Sequence, residues 1–357
     1  MAESLPQTHA TRRPNLKDHG REALRDLFKE RGWPAYRADQ VATWLYQQDV
    51  DELDAMTNLP QGIREALADE FDTRSLEVVE TQRSVDGTRK LLLHAFDGAR
   101  IEAVLIPEER RNTLCVSTQV GCPLTCSFCA TGALGFTRNL STAEIVDQVL
   151  HAQRHMEPGT ALTNLVFMGM GEPLLNLPAV SEAIRILTDP KAFALAPRRV
   201  TVSTSGVLPQ IGPLLEVAPI HLAVSLHATT DEVRDVLVPL NKRFPIAELL
   251  ETLREEPRIH RRRPVFFEYT LMKGVNDSVE DAKRLPGLLR GIPSKVNIIP
   301  MNPHDDAPYE PPEPEVVDRF TAALHEGGVR VTLRRDRGRD IDAACGQLAN
   351  RKPASSA

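Results

Sequence analysis

The N-terminal part of the chain shows the hydrophobic spacing of amphipathic helices. Leu24, Leu27 and Phe28 fall on one helical face, and the same spacing returns twice before residue 71. We therefore predict a small helical domain over residues 21–84. The segment before it, residues 1–20, is polar and has no apolar periodicity, which predicts a flexible tail.

Short alternating segments follow the helical region. Residues 85–87 carry a turn signal, and residues 100–106 alternate as a β-strand does. In that strand Glu102 falls on the same face as Val104 and Ile106, because side chains two positions apart point to the same side. The simpler interpretation of this carboxylate is a charge on an edge strand that faces water.

Strand-like and helical segments alternate from residue 113 onward. The predicted strands span residues 114–119, 164–168, 200–203, 220–225, 265–271 and 296–299. Helical patterns lie between them at residues 142–155, 178–187, 208–217, 245–255 and 279–289. Strands joined by helical crossovers form a parallel sheet, and six strands are fewer than the eight that close a full barrel.

The predicted fold class is therefore α/β, with a partial (βα)6 barrel. This core spans residues 85–350, begins with a β-hairpin and ends with a last strand near residues 329–333. The remaining residues, 351–357, are polar and predict a second flexible tail. The expected architecture is thus a small helical domain, a short β extension and the barrel.

Composition describes a globular chain with an acidic balance. Its 357 residues include 43 Lys and Arg against 49 Asp and Glu, which gives a formal net charge of -6. This balance argues against a simple basic coat for nucleic acid, although a few local arginines are enough for RNA contact. The largest basic clusters fall within residues 258–263 and 334–339.

No segment of the sequence is suited to crossing or entering a membrane. No run reaches the ~18 apolar residues of a membrane span, and the polar N-terminus lacks the apolar middle of a secretory signal. Five cysteines are also too few, and odd in number, for a disulfide scaffold. We therefore expect a cytoplasmic protein with no membrane partner.

Three of the five cysteines stand close together in the sequence. Cys122, Cys126 and Cys129 form a C-x3-C-x2-C array just after the first strand of the alternating series, where α/β folds place their active sites. Zinc in a structural site needs four ligands, and no fourth cysteine or histidine stands at a suitable spacing. Three thiolates on a four-iron cluster instead leave one iron open for a small ligand. The array therefore favours a [4Fe-4S] cluster over zinc.

The array resembles that of the radical S-adenosylmethionine enzymes, in which an aromatic residue, here Phe128, precedes the last cysteine. Further motifs are similar to those of the RlmN/Cfr family of radical S-adenosylmethionine RNA methyltransferases, in the family's order. They are residues 111–122, 135–140, 169–173, 225–228 and 340–348. The resemblance covers nearly the whole chain, including the helical N-terminal domain, and implies a radical S-adenosylmethionine barrel as the core.

The resemblance also implies how the chemistry is divided among three side chains. Cys345 would accept a methyl group from one S-adenosylmethionine molecule, and a radical derived from a second molecule would activate that group to join an adenine carbon. Glu102 matches the family's proposed proton acceptor. Cys115 would then attack Cys345, release the methylated base and leave a disulfide between the two cysteines.

Cofactor contacts are implied at the ends of the predicted strands. The three cysteines of the array would hold the cluster, and its open iron would bind the amino and carboxylate groups of S-adenosylmethionine. The positions that match the family's contacts to this cofactor are Gly171, Glu172, Ser203, Ser225, Leu226, His227 and Asn302. The carboxyl ends of barrel strands are where such folds build their sites.

The implied reaction is methylation of adenine in RNA. The run at residues 334–342 is more similar to the family members that act at carbon 2 of an adenine in 23S rRNA and of an adenine beside the anticodon of tRNA. Methylation at carbon 8 is the first alternative. The second is an iron–sulfur protein that binds RNA or transfers electrons without methylation, and such a protein has no need of Cys115, Cys345 and Glu102. We further expect a monomer that takes electrons from a donor such as flavodoxin.

Overall fold

The architecture is described by a computed structural model, which covers residues 13–304, 307–334 and 337–349. The predicted tails fall largely outside these residues: 351–357 entirely, and 1–12 of the N-terminal one. None of the helices within the covered residues is both long enough and apolar enough to cross a membrane.

Residues 13–20 are folded, contrary to the flexible tail predicted there. Leu16 is fully buried, and its backbone N–H donates to the carbonyl oxygen of Asp72 at 2.8 Å. Lys17 is buried as well, and its Nζ lies 2.8 Å from Oδ1 of Asp147. The sequence pattern missed this segment because its contacts are with residues far away in the chain.

Three helices form the N-terminal unit: α1 (Arg21–Glu30), α2 (Tyr36–Ala42) and α3 (Gln61–Glu70). Leu24 and Phe28 of α1 are fully buried, which confirms the predicted apolar face. The helical region ends before the predicted boundary at residue 84, because the chain enters the sheet at residue 76.

Twelve strands make up the β structure of the described residues. They are β1 (Leu76–Arg83), β2 (Arg89–Ala95), β3 (Arg100–Glu108), β4 (Arg111–Cys115), β5 (Gln119–Gly121), β6 (Phe136–Asn139), β7 (Asn164–Phe167), β8 (Val200–Thr204), β9 (His221–Ser225), β10 (Val265–Leu271), β11 (Ser294–Pro300) and β12 (Val331–Leu333). β5 and β6 form a separate antiparallel pair. The other ten form one sheet, antiparallel from β1 to β4 and parallel from β4 through β7 to β12.

The predicted α/β fold with a partial barrel is confirmed. In the described sheet β1 and β12 lie at opposite edges, so the barrel is open, as the small number of parallel strands indicates. β10 has the bounds predicted for it. The first predicted strand differs most: β4 ends at Cys115, because the chain then leaves the main sheet and enters β5.

The helices that follow β5 connect the parallel strands. They are α4 (Ala130–Ala133), α5 (Thr142–Arg154), α6 (Leu177–Thr188), α7 (Ile211–Val217), α8 (Asp231–Leu237), α9 (Ile246–Glu255), α10 (Val279–Leu288) and α11 (Pro314–Glu326). A capping box begins α5, in which the side chains of Ser141 and Glu144 each accept a hydrogen bond from the other's backbone N–H. α4 and α8 were not predicted, and the four residues of α4 are too few to show a helical period.

Glu102 does not face water, contrary to the simpler interpretation of its strand. β3 lies inside the sheet between β2 and β4, and Glu102 is only 1% exposed. Alternation could not show this, because it tells which residues share a face but not which strands flank them. A carboxylate buried in this way needs hydrogen-bonding or charged partners.

Candidate active site

The loop after β5 carries the three-cysteine array. Gly121 begins it with a φ of 73°, and a Cβ there would lie 1.9 Å from the carbonyl oxygen of Gly135, so no other residue fits. The N–H of Cys122 donates to that same carbonyl at 2.8 Å. The N–H of Cys129 donates to the carbonyl of Cys126 at 3.1 Å, which completes a compact turn.

The three cysteines line a cavity with an empty volume of about 950 Å³, part of which is open to solvent. Nine of the thirteen predicted site residues line it. They are Cys122, Cys126, Cys129, Gly171, Glu172, Ser203, Ser225, His227 and Cys345. The fold thus gathers distant parts of the chain at the carboxyl ends of the parallel strands, as barrels do.

Burial disfavours the thiolate form at each cysteine of the array. It raises the pKa of Cys122 to about 12, and it also raises the pKa values of Cys126 and Cys129. Among the described residues, no three His, Cys, Asp or Glu side chains converge on one metal-ion position. Three buried thiols in one loop fit an iron–sulfur cluster, because each thiolate would bind a different iron and be stabilised by it.

Glu172 places a carboxylate in the cavity just after β7. Its Oε2 accepts the N–H of Ser205 at 2.8 Å, and its Oε1 accepts that of Leu174 at 3.1 Å. Burial raises the pKa of Glu172, although these hydrogen bonds oppose the shift. Gly171 before it has a φ of 100°, and a Cβ there would lie 2.6 Å from that of Gln119. A buried carboxylate beside open space suits an ammonium group.

His227 is held in an uncommon backbone conformation beside the array. Its φ is 57°, and its Nδ1 accepts the N–H of Thr270 at 3.0 Å. Burial lowers the pKa of His227 to about 3, so the ring is neutral at physiological pH and carries its proton on Nε2. The ring centroid lies 4.7 Å from that of Phe128. His227 therefore offers one N–H donor next to the array.

The remaining predicted cofactor contacts fall into two groups. Ser203 and Ser225 line the cavity at the carboxyl ends of β8 and β9. Leu226 and Asn302 do not line it, and Leu226 is fully buried. The Nδ2 of Asn302 instead donates to the carbonyl of Cys345 at 3.3 Å. Asn302 therefore supports the segment that carries this cysteine.

Cys345 reaches the cavity from the C-terminal segment. The carbonyl of Gly346 accepts the N–H of Ala130 on α4 at 2.8 Å, which fastens this segment to the cysteine array. The Nε2 of Gln347 adds a hydrogen bond to the carbonyl of Pro303 at 2.9 Å. Since Cys345 is exposed while it lines the cavity, a large substrate can reach it from outside.

Two charged residues of the cavity were not predicted as site residues. Nη1 of Arg334 lies 4.0 Å from the sulfur of Cys345, 3.9 Å from that of Met168 and 3.8 Å from Oε2 of Glu268. The basic cluster at residues 334–339 was considered only as a candidate for RNA contact, but the guanidinium of Arg334 turns into the cavity. Burial raises the pKa of Glu268. The sequence feature that could have identified Glu268 is a lone carboxylate in the middle of an apolar strand.

Glu102 and Cys115 lie outside the lining of the cavity. Oε2 of Glu102 accepts the N–H of Ala349 at 3.0 Å, so it contacts the segment that carries Cys345. Burial raises the pKa of Cys115 to about 12, and negative charge on Cys345 adds to this rise, so the two sulfurs are within electrostatic range. The expected disulfide is absent, since all five cysteines are free in the structure.

Two models of known protein families match this chain, one over the core and one over the N-terminal unit. Residues 116–285 match the model of the radical SAM superfamily. Residues 14–72 match the model of the ribosomal RNA large subunit methyltransferase N-terminal domain. This second match begins within the folded segment before α1 and ends just before β1, so it coincides with the N-terminal unit of the structure.

Whole-chain relatives agree with these two models. The dual-specificity RNA methyltransferase RlmN of Marinobacter nauticus is 46% identical over 349 residues, which cover 96% of this chain and 95% of the relative. RlmN of Geotalea uraniireducens is 47% identical over 94% of this chain and 97% of its own length. The crystal structure of a radical SAM methyltransferase from Sphaerobacter thermophilus superposes with a TM-score of 0.89 at 45% identity, covering 95% of this chain and all of that one. The chain therefore belongs to the RlmN family within the radical SAM superfamily.

Proposed function

We propose that the protein methylates carbon 2 of a specific adenine in 23S rRNA, and of an adenine next to the anticodon in tRNA, through a methylated cysteine. One observation carries this proposal: Cys345 lines the same cavity as Cys122, Cys126 and Cys129. A methyl acceptor and a cluster loop that share one cavity can act on one substrate carbon. The dual specificity in the names of the relatives supports two RNA substrates.

Residues of the cavity provide the ligands for two cofactors. The three cysteines of the array would hold the [4Fe-4S] cluster, while Glu172 would hold the ammonium of S-adenosylmethionine. The cluster and this cofactor, when bound, supply an adenosyl radical by one-electron cleavage. Gly171 leaves room for the close approach of that cofactor, and Ser203, Ser225 and His227 offer polar contacts around it. Leu226 and Asn302 would act through their backbone or through the segments they support.

Two cysteines outside the array have separate roles in the methyl transfer: Cys345 accepts the methyl group, and Cys115 releases the product. As a thiolate, Cys345 would attack the methyl carbon of one S-adenosylmethionine molecule: a bond from its sulfur to the methyl group forms, the methyl–sulfonium bond breaks, and S-adenosylhomocysteine leaves. A second S-adenosylmethionine molecule would serve the radical step. The activated carbon on Cys345 would then bond to the adenine ring, and the ring would lose its proton together with the unpaired electron, for which the cluster would be the acceptor. Cys115 afterwards attacks the sulfur of Cys345: a sulfur–sulfur bond forms, the sulfur–carbon bond breaks, and the released carbon takes up a proton. The electrostatic coupling between the two thiols supports this pairing.

Glu102 is proposed as the group that takes the proton from the adenine ring. Its position on β3 and its hydrogen bond with Ala349 support this role, since both place it against the segment that bears Cys345. Its low exposure would keep bulk water away from the proton transfer.

RNA contact is assigned to two regions of the chain. The N-terminal unit, which matches the family model over residues 14–72, would provide one RNA surface beside the core. Basic residues of the run that precedes Cys345 in the sequence, such as Arg337, would contact phosphates of the RNA. The target adenine has to leave its stack to enter the cavity. Electrons would come from a donor such as flavodoxin.

Mass spectrometry of RNA after anaerobic incubation with cluster-loaded enzyme, S-adenosylmethionine and reductant tests the proposal. We expect a methyl group at carbon 2 of adenine in 23S rRNA fragments and in tRNA. Methyl at carbon 8 would replace the proposal with its first alternative. RNA that stays unmethylated beside a cluster-loaded protein would favour an RNA-binding or electron-transfer protein. A Cys345→Ala variant that methylates as well as wild type would refute the methyl-cysteine route.

A further inference from the structure

Arg234 lies on α8 and is only 1% exposed. It is the largest of the fully buried side chains among the described residues. Its Nη2 donates to the carbonyls of Ser205 at 2.8 Å and Ser225 at 3.0 Å. Its Nε donates to the carbonyl of Leu226 at 3.0 Å, and its Nη1 to Oδ1 of Asn241 at 2.9 Å. The guanidinium therefore joins the carboxyl ends of β8 and β9, behind the cavity.

The charge of Arg234 has no direct counter-ion among the described residues. No Asp or Glu oxygen of that part of the chain lies within 4.0 Å of its guanidinium. Asp231 and Asp235 reach it only through Asn241, whose Nδ2 donates to them at 2.9 and 2.7 Å. Burial lowers the pKa of Arg234 to about 10, which still leaves it protonated at neutral pH. A buried cation of this kind is costly unless a negative group compensates it.

Contacts of Arg234 and of its helix lead to the cavity and to the cysteine array. Ser205, whose carbonyl accepts from Arg234, lines the cavity together with Cys126. The N–H of Ser127 donates to the carbonyl of Leu237, at the end of the helix that carries Arg234, at 3.2 Å. Arg234 is thus connected to the cavity through Ser205, and its helix is connected directly to the loop that carries the array.

We propose that Arg234 is the buried counter-charge of the iron–sulfur cluster and raises its reduction potential. The inference rests on the proposed function only in taking the cluster to be bound by the three cysteines. A four-iron core held by three thiolates carries net negative charge, and reduction adds one more electron. A fixed cation nearby stabilises the reduced form more than the oxidised form, because it faces more negative charge there. Arg234 is therefore a positioning and charge-balancing residue, which need not touch the substrate.

Potentiometric titration of the cluster, followed by electron paramagnetic resonance, tests this inference. Wild type, Arg234→Gln and Arg234→Lys are reconstituted anaerobically, with Arg284→Gln as the control. Arg284 pairs with Asp281 on α10, and its side chain is 46% exposed. We expect Arg234→Gln to lower the equilibrium constant for reduction about tenfold, which for one electron is about 59 mV. Arg284→Gln should keep the wild-type potential, because solvent screens its charge.

The Arg234→Lys variant distinguishes the effect of the charge on the cluster potential from the effect of the hydrogen bonds. A buried lysine loses its proton more readily than arginine, so its cluster potential should fall with rising pH towards that of Arg234→Gln, while wild type shows no such fall below pH ~9. The pH dependence of the cluster potential in Arg234→Lys can still be measured if Arg234→Gln fails to fold. An unchanged potential in a cluster-loaded Arg234→Gln, or a pH-independent one in Arg234→Lys, would overturn this inference alone. A wild-type protein that takes up no cluster would overturn the proposed function as well.

Discussion

Lys90 and Glu102 form a buried ion pair on neighbouring strands: Nζ lies 3.2 Å from Oε1, and neither side chain is more than 6% exposed. The same Nζ donates to the carbonyl of Asp342 at 3.3 Å. The other oxygen of Glu102 accepts the N–H of Ala349. The pair therefore ties the sheet to both sides of the segment that carries the candidate methyl acceptor.

Replacing Lys90 should destabilise the protein strongly. Lys90→Met leaves the carboxylate of Glu102 buried without its cation, which costs about 3–5 kcal/mol of unfolding free energy. Urea unfolding followed by circular dichroism measures the change. Lys29→Met is the control, because Lys29 and Asp26 are both largely exposed and their pair contributes less than about 1 kcal/mol. Equal losses in both variants would show that the buried pair does not hold the sheet and the segment together.

Acid should weaken the contact between the β1–β2 turn and the C-terminal segment. Burial acts to raise the pKa of Asp86, but hydrogen bonds outweigh it and lower the pKa to about 2. Among them are those from the N–H groups of Thr88 at 2.9 Å and Gly338 at 3.0 Å.

Because the folded pKa of Asp86 lies below the unfolded one, its contribution is present above pH ~4 and is lost as the pH falls towards 2. Its size is about 2 kcal/mol. Unfolding of wild type and Asp86→Asn should therefore differ near pH 6 and converge near pH 2. A constant difference across this range would refute the assignment to Asp86.

Cys115→Ala should trap the RNA on the protein. If Cys115 breaks the link between Cys345 and the base, its loss leaves the covalent adduct unresolved. A denaturing gel of labelled RNA, after anaerobic turnover, should then show a protein-linked band that nuclease removes. Cys115→Ala/Cys345→Ala should give no band, because the attachment point is missing. Free methylated RNA in normal amount from Cys115→Ala would contradict the assigned role.

Gly171→Ala should weaken binding of S-adenosylmethionine while the cluster remains. The residue has a φ of 100°, and its new Cβ would collide with Gln119. We expect at least tenfold weaker binding in equilibrium dialysis of the cluster-loaded protein, since about 1.4 kcal/mol of strain is enough.

Gly159→Ala is the matched control for this substitution. Its φ of 79° imposes similar backbone strain, but nothing lies within 4 Å of its Cβ position. If both alanine variants bind equally well, close packing at Gly171 does not shape the cofactor space.

Much of the fold could be predicted from the sequence, because hydrophobic periodicity can be recognised without knowing which elements pack against each other. β10 was found with its observed bounds, since its length and apolar character are local properties. Glu102 was assigned to water because its environment depends on which strands pair with β3. The inward turn of Arg334 is likewise a property of packing, and a run of arginines gives no sign of it.

The cysteines were the most informative residues, and they also mark the limit of sequence reasoning. Local spacing identified the array of Cys122, Cys126 and Cys129. The meeting of Cys345 with that array joins distant segments, and only the family resemblance suggested it before the structure placed both in one cavity. The charge of Arg234 behind the array had no signal in the sequence, because α8 is short and was not predicted.

The place of Cys345 in the chain has a consequence for biosynthesis. The cysteine follows every strand and α-helix of the described fold, and it is fastened to α4 through its neighbour Gly346. A chain made from its N-terminus can therefore complete the sheet and the cysteine array before Cys345 has been added. With the role proposed for Cys345, a nascent chain would contain the cluster-binding half of the site without its methyl acceptor, and competence for methyl transfer would arrive only once translation has passed residue 345.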